Sequence, residues 1–303
     1  MTFKQVTWAA LLSVAAIAAQ AGTVSNAAQI QKSGSILIDL DNNGSTDYNL
    51  NLTPLMGHSA ATGNVFLTAP TSPVLDAAGM WSSTTFTGAN GQLQTGLAWH
   101  SWQTVNGTVD NNSSLSPTDS SNPWAASFVI TMNGNVDPEL NYGFSIKNNG
   151  ATAQSYSVTF GESLDPAVSG PFTVSADIEG SVSSVQSSPG VTVSPVGSQV
   201  QGLFLRRLDG TFVNAGVDVG NALSTSTSGT QHYGAYTASA SGNSGADTYD
   251  YWEFRTKFTL SGGKDTFVAN GTAVLTPVPE PESLSLLAAG GLALVALARR
   301  RRA

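Results

Sequence analysis

The sequence predicts an all-β body, an antiparallel β-sandwich or jelly roll, and three observations carry that prediction. Between Gly22 and Leu275 no run of ten or more residues keeps a helical apolar period, while short alternating runs recur between Gly, Asn, Pro and Ser. Charged residues are only 11% of the 303 positions against 41% hydrophobic, so exposed strand faces must be built from Ser, Thr, Asn and Gly. Many short strands separated by turns favour two packed layers over one open sheet, which would leave long unpaired edges.

Composition also removes function classes. Of the 12 Lys and Arg residues, four are Arg299 to Arg302 and one is Lys4, and the formal net charge is -8. The body between the ends lacks the clustered cations that neutralise phosphates, so nucleic acid is not an expected partner. Cysteine is absent, which excludes disulfides, thiolate zinc sites and cysteine nucleophiles.

The first element in chain order is residues 1–21, with Lys4 in a short n-region, an apolar run from Val6 to Ala19, and the small-residue site Ala19-Gln20-Ala21. That order of parts is a secretory signal peptide cut after Ala21 by signal peptidase, and the competing reading is a buried helix.

Next comes Asp39-Leu40-Asp41-Asn42-Asn43-Gly44-Ser45-Thr46-Asp47. Asp39, Asp41, Asn43 and Asp47 supply side-chain oxygens at alternate positions around a Gly turn, and Ser45 adds its backbone carbonyl. Such an array suits Ca2+, which takes six to eight hard oxygens. Leu50 stands where a helix-loop-helix calcium site has its bidentate Glu, and the flanks read as strands. The expectation is a calcium loop in a β-hairpin, or else a metal-free Asx turn.

Trp81, Trp99, Trp102 and Trp124 follow, with His100 between two of them. Exposed, they would form a platform for sugar rings; buried, they anchor a core. Residues 110–123 are dense in Asn, Ser, Pro and Asp and read as a linker, so the chain divides into 1–21, an N-terminal β region 22–123, a sandwich 124–275 and a tail 276–303.

In the sandwich, Tyr142, Phe144 and Ile146 alternate, as do Tyr156, Val158 and Phe160, across Asn148-Asn149-Gly150. This spacing predicts a hairpin. From Asp250 to Leu260, Trp252, Phe254, Phe258 and Leu260 share one face and Tyr251, Glu253, Arg255 and Lys257 the other, which predicts a half-buried strand. Further strands are expected at 36–39, 128–132, 172–182, 200–205 and 266–275.

Catalytic patterns are sparse. His58, His100 and His232 have no ligand spacing, and no G-x-S-x-G elbow occurs. Asp137/Glu139, Glu162/Asp165 and Asp177/Glu179 are close acidic sets, yet a glycosidase brings its two carboxyls from opposite sides of a sugar, commonly on distant segments. The expectation is a protein with no catalytic residues and no cofactor other than Ca2+.

The tail opens at Val278-Pro279-Glu280-Pro281, runs apolar from Leu284 to Ala298 and ends in Arg299-Arg300-Arg301-Arg302. Those 15 apolar residues would rise about 22 Å as a helix, short of the roughly 30 Å hydrocarbon core. Terminal arginines keep their end cytoplasmic, which leaves the body outside. In these residues the tail resembles the PEP-CTERM sorting signal. The resemblance implies that an exosortase in the inner membrane recognises Pro279, Glu280 and Pro281 and processes the chain there, with the apolar helix as a transient transmembrane anchor; a permanent single-span anchor is the alternative. It also implies delivery to the cell surface or an exopolysaccharide (biofilm) matrix. The function expected is an exported β-sandwich of that matrix, with a carbohydrate-binding protein or carbohydrate-active enzyme on the same fold as the alternative.

Overall fold

The computed structural model describes residues 30–59, 62–72, 74–75, 79–88, 91–101, 103–105, 108–110, 126–135, 138–186 and 190–278. The signal segment 1–21 and tail residues 279–303, with the helix expected in each, lie outside them. Every described element but one 3-10 turn, Thr53–Leu55, is a strand. In order these are β1 Lys32–Asp39, β2 Tyr48–Asn51, β3 Met56–His58, β4 Val65–Leu67, β5 Val74–Leu75, β6 Gly79–Thr87, β7 Leu93–Ser101, β8 Gln103–Val105, β9 Thr108–Asp110 and β10 Ala126–Asn135. There follow β11 Glu139–Asn148, β12 Gln154–Ser184, β13 Thr192–Pro195, β14 Gln201–Arg207, β15 Phe212–Asn214, β16 Leu223–Ser224, β17 Gly229–Leu260 and β18 Asp265–Pro277.

Two strands organise the fold. β12 has 31 residues and β17 has 32, and they pair antiparallel along nearly their whole length. Midway the register slips twice: residues 164–167 of β12 stand opposite a single position of β17, then 244–247 of β17 stand opposite a single position of β12. Paired bulges of this kind bend a ribbon. At the corner Gly170 has φ +78, which glycine adopts without a Cβ penalty, and its N–H donates to Ser244 Oγ at 2.6 Å.

The bent ribbon serves two sheets. Its first half joins β1 and β2 on one side and β14 and β15 on the other. Its second half continues through β18, β11, β10, β7, β6 and β5. All pairings are antiparallel, and the sheets pack face to face as a sandwich. Strands before and after residue 123 share the second sheet, since β7 pairs with β10 from Ser127↔His100 to Ile130↔Leu97.

Period-2 alternation determines the core, because inward positions of both layers meet. Phe258 stacks on its ladder partner Tyr156 at 5.5 Å and across the interior on Phe144 at 5.6 Å, with Phe267 edge-on at 5.0 Å. Each such ring contributes roughly 1.5–3 kcal/mol when fully buried. Polar groups in the interior are bridged too: Thr256 Oγ1 donates to Tyr142 Oη at 3.1 Å, Tyr142 Oη donates to Gln201 Oε1, and Gln201 Nε2 reaches the Asp177 carbonyl at 3.2 Å.

The expected hairpin 142–160 is corrected. β11 pairs with β10 and β18, whereas the first half of β12 pairs with β1 and β17, so the two runs lie in facing sheets. Their aromatic faces are both inward, and two inward faces satisfy each other better across a core than side by side in one layer. Asn148, fully buried, holds the connecting arch: its Nδ2 reaches the carbonyls of Thr152, Leu260 and Ser261 at 2.8–3.1 Å, and its Oδ1 accepts the Gly150 N–H.

The face assignment of 250–260 holds, with Trp252, Phe254, Phe258 and Leu260 at 1% exposure or less. Its other face is more covered than a solvated one. Arg255 lies over the rings of Phe204 and Phe212 at 4.1 and 4.8 Å while paired with Glu253, and Tyr251 is buried beneath Arg206.

Candidate functional site

The β1–β2 hairpin delivers the acidic loop. Ile38 and Tyr48 are ladder partners, and the eight intervening linkage positions between β1 and β2 fold back through Asn42 at φ +56 and Gly44 at φ +89. Carboxylate oxygens of Asp39, Asp41 and Asp47 all lie within 4.8 Å of one another. Two oxygens on one Ca2+, each about 2.3–2.6 Å from it, lie at most about 5 Å apart, so the cluster has the geometry to chelate a single divalent ion.

The turn holds its own acids in place. Asp39 accepts the N–H groups of Asn43 at 3.2 Å and Gly44 at 2.7 Å, Asp41 accepts the Asn43 amide at 2.8 Å, and Asp47 accepts the Leu40 N–H at 2.7 Å. Asn43 Oδ1 accepts the Ser45 N–H at 2.7 Å. Each bonded oxygen keeps a second lone pair for a ligand. Burial raises the Asp39 pKa, but the N–H groups of Gly44 and Asn43 outweigh it and hold it below the ordinary value. Among the described residues the ion pairs are Arg206–Asp250, Arg207–Asp247 and Arg255–Glu253, and none reaches this loop.

The tryptophans resolve toward the core where they are described. Trp99 is fully buried and Trp81 is 6% exposed, packed with Phe128 and with Tyr48 at the end of the acidic loop. A sugar platform that includes Trp99 is thereby excluded. Trp102 and Trp124, and the side chain of His100, lie outside the described residues.

The acidic sets part company. Asp137 is outside the described residues, and Glu139 is exposed and accepts the Asn141 amide at 2.9 Å. Asp177 and Glu179 stand side by side on the outer face of β12 and line a cavity of about 380 Å³. Neighbours on one strand face present both carboxyls to the same side of a ligand, unlike the opposed acids of a glycosidase. No catalytic machinery is evident among the described residues.

Glu162, paired in sequence with Asp165, turns away from solvent altogether. It lies on the inward face, in the series Tyr156, Val158, Phe160, Glu162, Leu164, and is fully buried. Its carboxyl rests on the Cα of Gly134, where any Cβ would collide with it. Burial pushes its pKa up to about 8, opposed by Trp252, its ladder partner, and by the Asn135 N–H. Both Glu162 oxygens and Trp252 Nε1 lack a hydrogen-bond partner of good geometry. Burial therefore favours the protonated form of Glu162. Parity with Phe160 was the available signal.

The tail leaves directly from the sandwich. β18 ends at Pro277, and the Val278 N–H donates to the Pro171 carbonyl at 2.9 Å. Pro279, Glu280, Pro281 and Arg299 to Arg302 lie outside the described residues, as do Ala19 and Ala21. Among the described residues no helix is long and apolar enough to cross a membrane.

Fold and tail together define an exported, all-β sandwich protein with a C-terminal sorting signal. Residues 277–302 match the PEP-CTERM protein-sorting motif, consistent with an exosortase substrate destined for the cell surface or extracellular matrix. No curated protein sequence matches the chain. Among solved structures, a carbohydrate-binding module of the β-sandwich superfamily is 9% identical, with 79% of this chain and 83% of that one covered, at a TM-score of 0.18. A mutant VP2 protein of infectious bursal disease virus, from derived T=1 particles, is 12% identical, with 84% and 78% covered, at a TM-score of 0.17.

Proposed function

We propose that the mature chain is a non-catalytic β-sandwich binding module of the cell surface or exopolysaccharide matrix, released there after exosortase processing. The observation that supports this most is the junction at Pro277–Val278, where the last strand of the folded body runs straight into the sorting motif. Val278 is the last described residue, and its N–H still bonds to the sandwich. Pro279 and Pro281 have no N–H to donate to a sheet ladder, and a proline disfavours helix at the residue before it, which suits a segment read by a protease. Signal peptidase removes residues 1–21, the inner membrane holds Leu284 to Ala298 in transit, and Arg299 to Arg302 stop transfer. Mass spectrometry of the mature protein, with and without the host's exosortase, tests the reading. An N-terminus at Gly22 and a C-terminus near Pro281 are expected, and a cytosolic chain with Met1 and Arg302 intact overturns it.

A second component of the reading is that Ca2+ occupies the loop of Asp39, Asp41, Asn43, Ser45 and Asp47. The span of the three carboxylates and the absence of a cationic partner among the described residues support it. The ion would staple the β1–β2 hairpin and play no chemical part in a reaction. A carbohydrate ligand is the binding activity favoured for the body, on the strength of the polar cavity beside Asp177.

A further inference from the structure

The outer face of the second sheet carries an ordered array of hydrogen-bonding side chains. Ladder registers align Asn133, Asn141, Thr272 and Asp177 in one row across β10, β11, β18 and β12. The next row is Thr131, Gly143, Asn270 and Glu179. With neighbouring strands about 4.8 Å apart, four strands make a strip about 14 Å wide. The floor is Gly143: a Cβ there would lie 2.7 Å from Asn270 Oδ1 and 2.9 Å from Gln94 Oε1, so these two amides close over a position that only glycine leaves empty. Gln94 Oε1 has no hydrogen-bond partner.

The lining chemistry is selective. Amides and threonine hydroxyls both donate and accept, which matches sugar hydroxyls, and carboxylates accept from two such hydroxyls at once. Among the described residues no Lys or Arg lines the cavity. A uronate, sulfate or phosphate would meet Asp177 and Glu179 with nothing to neutralise it. Tyr142 lies buried beneath, so no aromatic ring is offered for stacking, and hydrogen bonds must carry recognition.

We propose that this face is a glycan-binding groove for sugars without acidic groups, neutral or amine-bearing, and that it rejects acidic polysaccharides. The proposal rests on the reading of the body as a binding module and adds the site and the ligand class. The mature secreted protein is tested by calorimetry against neutral glucan, mannan and xylan oligosaccharides, a glucosamine oligomer, and oligomers of alginate and polygalacturonate. Neutral or amine-bearing oligomers are expected to bind and acidic ones not. Gly143→Val should weaken that binding at least tenfold, and so should the surface double variant Asn141→Ala/Thr272→Ala, which keeps the floor and guards against misfolding of the first. Asp177→Asn/Glu179→Gln should admit the acidic oligomers. Preferential binding of acidic oligomers, or glycan binding that survives the Asn141→Ala/Thr272→Ala change, sinks the groove and leaves the binding-module reading standing. Binding of no oligomer at all removes both.

Discussion

Glu162 and the pair Asp177 and Glu179 ride on the same strand and meet opposite surroundings. Glu162 has even parity and points into the sandwich, against Gly134 and Trp252, where no cation or good donor receives it. Asp177 and Glu179 have odd parity and face outward among amides and hydroxyls, where Thr272 N–H reaches Asp177 Oδ1 at 3.2 Å. Asp177 is still partly buried, which raises its pKa, with Glu179 adding like-charge repulsion. One residue of parity thus separates an acid whose protonated form burial favours from acids available to a ligand.

The largest test of that contrast is pH. The Glu162 carboxyl has a folded pKa of about 8 against an ordinary 4.5, so its protonated form is the one that suits the fold. Its stability contribution is complete below about pH 4.5, falls by about 1.4 kcal/mol per pH unit as pH rises, and levels off above about 8. Glu162→Gln should abolish that slope and leave the variant more stable than the native chain at pH 8 by up to roughly 4 kcal/mol. Equal pH dependence of the two in denaturant melts would show that Glu162 is solvated. Next in size, Gly134→Ala should cost roughly 1–3 kcal/mol by overpacking against the same carboxyl. Combining it with Glu162→Ala should recover most of the loss, and purely additive losses in that double-mutant cycle would deny the contact.

Smaller effects are expected at the hairpin loop. EDTA should lower the melting temperature by a few degrees and Ca2+ restore it, as follows when an ion binds only the folded state. Asp41→Ala should lose that response, and a native chain whose melting is indifferent to EDTA would leave the loop as an Asx turn. Smallest of all, Asp177→Asn should change stability by about 0.5 kcal/mol or less at neutral pH, since it lies on an outward face. A loss as large as that of Gly134→Ala would place Asp177 among the structural acids.

Several of these features could be read from the chain alone. The alternation of Trp252, Phe254, Phe258 and Leu260 placed them in the core because a strand has only two faces. The spacing of Asp39, Asp41 and Asp47 around Gly44 foretold a cluster because the ligands are local and the turn is short. By contrast, Tyr142–Ile146 and Tyr156–Phe160 looked like a hairpin, since alternation fixes a strand's faces and says nothing of which strand lies beside it. The same gap hid the cavity: Asn133, Asn141, Asn270 and Asp177 come from four strands and meet only through ladder register.

What the sequence by itself determined is therefore whatever short-range chemistry controls: the all-β class, the inward faces, the acidic turn, and the sorting motif, which is a local run of residues. What only the tertiary structure decided is partnership between distant strands. The bulged corner of β12 and β17 sends one ribbon through two layers, and that bend seats Glu162 against Gly134 and aligns the outward amides with Asp177. Bulges depend on how two strands run past each other, a relation that the residues of either strand do not encode separately.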